Sequence, residues 1–143
     1  MVNVFGYNED SATLFNISLD ENRKPFYYRT YLTGIDWQQA TGVKFLKTTG
    51  SSADIDNKIL VFVNYGTYEG KTYIGPKEFS KLEDKSNYYT FNEGEDILLK
   101  GIHDIEITNS QEFNDIQKNY DDVVKIINVT KCELTKHFEL GCE

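Results

Sequence analysis

Cations, cysteine, proline and histidine are all scarce in this chain, and each shortage removes a class of function. Against 23 Asp and Glu stand only 15 Lys and Arg, a formal net charge of -8. Every contact to a phosphate needs a cation, so this balance disfavours non-specific adhesion to DNA, RNA or anionic lipid. Only two cysteines occur, Cys132 and Cys142. A domain of this size builds a full core without a bridge and a cytosol keeps thiols reduced, so both are expected to be free. Two prolines beside an aromatic content of 14% favour sheets over helical bundles. No apolar run approaches the ~20 residues of a membrane span, and residues 1–10 lack the basic and apolar regions of a secretory leader, which places the chain in a cytoplasm. There is no glycine-rich phosphate loop, no nucleophile elbow and no Cys or His pair at metal-ligand spacing, so no catalytic residue, cofactor or metal is expected.

What is present is one domain over residues 1–143, without repeats or linkers. Its organising stretch is residues 58–65, where Ile59, Leu60, Val61, Phe62 and Val63 describe a central strand buried on both faces. A polar segment, residues 48–57, precedes it and reads as a long loop. Upstream, residues 13–19 and 26–32 read as a hairpin across the turn at 20–25, Gly34 permits a bulge before Ile35 and Trp37, and residues 41–47 supply a further strand. Downstream come a short strand at 71–75, a short helix opened by Pro76, and a hairpin of residues 88–91 with 96–100 across the turn at 92–95. A helix at 110–120, with Ser110 or Asn109 as its cap and Glu112 nearby, presents Phe113, Ile116 and Tyr120, and is followed by a half-buried strand at 123–129 and a last segment at 134–140. The fold class is mainly β with some α, a barrel or sandwich with two short helices as covers.

Candidate chemistry is thin. His103 with Asp104, plus His137, is the best acid/base pair, but His103 sits in a polar connector where a solvated histidine is ordinary. Asp121 with Asp122, and Asp54 with Asp56, lack the ligand density of a calcium loop. Tyr27, Tyr28 and Tyr31 could stack on bases or sugars, but Arg29 is the sole cation interleaved among them, whereas stacking sites lie in basic grooves. Lys44, Lys47 and Lys58 bracket the long loop as a local basic patch or as charges that guard strand edges. The glycosylation patterns at Asn16 and Asn128 fall inside expected strands and carry no information.

Five landmarks, residues 12–16, 31–37, 71–79, 95–101 and 120–129, resemble in the same order a family of small virion proteins encoded by tailed phages and prophages of Gram-positive bacteria. Most specific are Thr13-Leu14-Phe15-Asn16 and Gly34-Ile35-Asp36-Trp37. The resemblance spans about residues 12–130, and the segment from Lys131 to His137 departs from it. It implies a non-enzymatic ring subunit of the phage neck, a stopper or adaptor between portal and tail that retains or passes DNA without reading its sequence. The partners it implies are other copies of the chain, the portal or adaptor, and tail proteins, in a virion assembled in the host cytoplasm and away from membranes. A subunit interface is expected at Tyr27, Tyr31 and Trp37 and in the loop at Thr48, Ser51, Ser52, Asp54 and Asp56, whose composition buries too little apolar surface to order before assembly. The alternatives are a decoration, tail-terminator or other minor capsid or tail subunit, and a small cytosolic hydrolase or ligand-binding β-domain.

Overall fold

The computed structural model describes residues 9–39 and 59–143. The expected strand at 41–47, the loop residues Thr48, Ser51, Ser52, Asp54 and Asp56, and the lysines 44, 47 and 58 lie outside the described residues. Six strands close an antiparallel barrel in the order β1-β2-β3-β8-β7-β6. They are β1 (Asp10–Leu19), β2 (Pro25–Gln39), β3 (Ile59–Asn64), β6 (Ile97–Lys100), β7 (Val123–Cys132) and β8 (His137–Cys142). A two-stranded parallel sheet of β4 (Thr72–Tyr73) and β5 (Tyr88–Tyr89), with α1 (Pro76–Lys81) between them in sequence, and a second helix, α2 (Ser110–Asn119), complete the elements of the described residues. Among the described residues no helix is long and apolar enough to cross a membrane.

Alternation along each strand fills the barrel. Leu14 on β1 pairs with Leu98 on β6, Val124 on β7 also faces Leu98, and Val61 and Val63 on β3 pair with Leu140 and Phe138 on β8. These inward residues form one buried cluster with Leu32 and Ile126, so the interior is a packed core rather than a channel. An aromatic group, Tyr73, Tyr89, Phe91 and Phe138, packs with centroid separations of 4.6 to 5.7 Å and joins that core.

A second cluster lies on the outside of β1 and β6. Phe15, Ile97 and Leu99 point outward from the barrel and are covered by Ile107, Phe113 and Ile116. The strands buried on both faces are therefore β1 and β6, not β3, where only Val61 and Val63 are fully buried and Leu60 and Phe62 are half-buried. The physical cause is α2: its Phe113 and Ile116 cover the outer faces of β1 and β6 but not β3. Of the two residues the sequence offers at the start of α2, Asn109 is the cap, its side chain accepting from the Glu112 N–H at 2.9 Å, and the helix ends at Asn119 with Tyr120 exposed.

Two more local features differ from or match expectation. The turn at 92–95 forms, but its flanks do not pair with each other: β5 pairs with β4, and β6 pairs with β1 and β7. The bulge at Gly34 does form. Asp10 faces Ile35 while Ser11 faces Thr33, leaving Gly34 as the extra residue at a φ of 66°. That left-handed backbone suits glycine and bends β2 so that its first part pairs with β1 and its last part with β3.

Candidate functional site

Strand pairing in the barrel is partial, and acidic side chains close what it leaves open. The β1–β6 ladder stops at Phe15, and the N–H of Ile17 beyond it donates to Asp96 at 2.9 Å. The β1–β2 ladder stops at Ile35, and the N–H of Trp37 donates to Asp10 at 2.9 Å. Tyr31 lies in the part of β2 that β3 does not reach, and its N–H donates to Glu69 at 2.8 Å. Val129 lies in the part of β7 that β6 does not reach, and its N–H donates to Glu93 at 2.8 Å. An unpaired N–H at a strand edge is a template for another chain, so four carboxylates act as plugs and give part of the acidic surplus a structural role.

Asp96 is the deepest of these. Its carboxylate also accepts from the Asn92 N–H at 2.7 Å and from the Asn16 amide at 2.6 Å, and the same amide donates to the Thr90 carbonyl. Asn16 and Asp96 are both fully buried. Burial pushes the Asp96 carboxyl up to about 7, against hydrogen bonds from Asn92, Ile17 and Asn16 that favour its charged form. Nearby, the Thr13 hydroxyl donates to the Gly101 carbonyl at 2.8 Å and accepts from the His103 N–H at 2.9 Å.

The aromatic face of β2 is occupied from within the chain. Tyr27 is half-buried and stacks on Phe113 of α2 with centroids 5.2 Å apart. Tyr31 is half-buried, donates its hydroxyl to the His103 carbonyl at 3.2 Å, and lies 4.9 Å from the Arg29 guanidinium. Trp37 is half-buried against the barrel core, with the Lys100 ammonium 5.7 Å from its ring. Tyr27 and Tyr28 also line a groove of about 360 Å³ with Arg29, Lys71 and Lys85, so folding brings two further lysines to the tyrosines beside which Arg29 had stood alone in sequence. All three cations are engaged. Arg29 pairs with Asp104 and the Ile105 carbonyl, Lys71 donates to Arg29 and Thr30, and Lys85 donates to Leu82.

The expected acid/base pair is not a unit. Nε2 of His103 lies 2.8 Å from the Lys100 carbonyl, with Tyr120 edge-on to its ring, and Asp104 is exposed in its pair with Arg29. His137 belongs to a different cluster, which the sequence reading missed. The turn between β7 and β8 sets Cys132 opposite His137, and Glu139 lies two residues farther along β8 on the same face. The Cys132 thiol donates to Glu139 Oε2 at 3.4 Å and His137 Nε2 lies 3.2 Å from the same oxygen. Burial, with the Glu139 carboxylate beside it, holds the Cys132 thiol above its usual range. The signal in sequence was Cys-x4-His-x-Glu across a hairpin, a spacing that means little until the turn is known to be tight. Both cysteines are free, and Cys142 is fully buried, its thiol pushed up to about 12 by burial.

No curated protein and no solved structure matches the chain. One family model covers residues 7–143, and the chain accordingly belongs to DUF6751, a family of unknown function.

Proposed function

We propose that this chain is a non-enzymatic subunit of a phage neck, a stopper- or adaptor-like barrel that assembles as a ring between portal and tail and helps to hold or pass DNA. Its partners are then other copies of itself, the portal and the tail, in a virion assembled in a bacterial cytoplasm. The observation that carries the reading is the meeting of two of its sequence landmarks, residues 12–16 and 95–101. Thr13 bonds to Gly101, and Asn16 to Asp96, across 88 and 80 residues of chain. Residues from two of the landmarks behind the resemblance are thus hydrogen-bonded to one another where β1 lies beside β6.

Three physical features support it. The barrel interior is solid, so DNA could pass only between subunits, through a ring. The net charge of -8 gives such a passage walls that do not grip phosphate. The tip of the β1–β2 hairpin carries exposed Leu19 and Phe26, an apolar end suited to a neighbouring subunit.

Deleting the gene from the phage or prophage that carries it tests the proposal. The expected particles are heads without joined tails that lose their DNA; normal, tailed, infectious particles would contradict it.

A further inference from the structure

We propose that Cys132, His137 and Glu139 form a binding site for a zinc-type divalent transition-metal ion, with a fourth position open to water. Sulfur, nitrogen and oxygen ligands converge here from two paired strands: the three ligand atoms all lie within 4.8 Å of one another. A tetrahedral ion with bonds of about 2.0 to 2.3 Å needs ligand atoms roughly 3.3 to 3.7 Å apart. The Sγ to Oε2 and Nε2 to Oε2 separations are 3.4 and 3.2 Å, so two of the three ligand-to-ligand edges already match that spacing to within a few tenths of an ångström.

The donor set also selects the ion. A thiolate disfavours Mg²⁺ and Ca²⁺, which want oxygen, whereas mixed sulfur, imidazole and carboxylate ligation suits Zn²⁺. On binding, the thiol gives up one proton to solvent and ligates as the thiolate, beside a carboxylate and a neutral imidazole. Two negative ligands then balance the double charge of the ion, leaving no net charge on the site.

The neighbourhood is prepared for this exchange. Thr135 Oγ1 lies 2.8 Å from Nδ1 of His137. A hydroxyl can donate or accept, so it supports the tautomer that protonates Nε2 toward Glu139 without metal, and the tautomer that frees Nε2 for metal. Phe62 packs edge-on against the His137 ring at 5.8 Å and fixes its plane. The His137 and Glu139 side chains keep 20% and 41% of their exposure, leaving a path for an ion and room for a water. Three protein ligands leave the fourth tetrahedral position to water.

Titrating Co²⁺ into the reduced full-length protein, with Zn²⁺ as competitor, tests the site. The expected result is saturation at one ion per chain with a thiolate-to-cobalt charge-transfer band that Zn²⁺ abolishes. Cys132→Ser should lose the band, Glu139→Gln should weaken binding by more than tenfold, and Thr135→Ala should weaken it roughly tenfold through loss of histidine orientation. Cys142→Ala, which alters a thiol buried in the barrel core, should keep the band. Absence of the band in the unaltered protein would overturn the proposal, as would its survival in Cys132→Ser or affinity unchanged in Glu139→Gln. Circular dichroism of each variant separates loss of the site from loss of fold.

Discussion

Asp96 makes stability depend on pH in a direction opposite to that of an ordinary surface carboxylate. Its carboxyl titrates at about 7 in the folded chain because it is buried, against an ordinary 3.8. Between those values the folded state holds a proton that the unfolded chain has released. Stability from this group is therefore complete below about pH 4 and is lost as pH rises through about 7. The full effect is about 4 kcal/mol, of which about 3 kcal/mol falls between about pH 8 and about pH 5. The assay is denaturant unfolding across that range for the chain and for Asp96→Asn, which cannot titrate. Other acidic groups contribute alike to both proteins, so the difference isolates this carboxyl. The unaltered chain should gain about 3 kcal/mol on the variant upon acidification. A difference that shrinks instead would refute the reasoning. It would mean that the donors from Ile17, Asn92 and Asn16 outweigh burial and keep the carboxylate charged.

Other substitutions probe the barrel surface. Tyr27→Ala removes the stack on Phe113 and should cost about 2 kcal/mol, with faster hydrogen exchange in α2 before the barrel opens. Unchanged stability with failed assembly would instead give that ring to a subunit interface. Glu69→Ala combined with Glu93→Ala bares the Tyr31 and Val129 N–H groups and should promote self-association on warming, followed by light scattering. A variant that scatters no more than the unaltered chain on warming would show that these carboxylates do not guard the edges.

Local signals were legible where one residue type dictates one conformation. Gly34 gave its bulge, Pro76 its helix start, and the apolar face of residues 113 and 116 its helix. Closure into a barrel was open to a sandwich alternative, because period-two alternation is the same in both. The central role given to residues 58–65 failed for a related reason. An unbroken apolar run suggests burial on both faces, but which strand is covered outside depends on where α2 lands, a long-range fact. The Asp96 node joins residues 74 to 80 positions apart, and the Cys132, His137 and Glu139 cluster needs a hairpin register. Neither has a local sequence signature. The turn at 92–95 was found and its partners misassigned, since a turn fixes chain reversal but not which ladder each flank joins.

The central proposal is that this barrel is a ring subunit of a neck, and native mass spectrometry of the purified chain, alone and mixed with the portal and tail proteins that the proposal names as its partners, tests it most directly. The account predicts a closed ring of identical copies, or stoichiometric binding to the portal. A chain that stays monomeric with both partners present at micromolar concentration would contradict it.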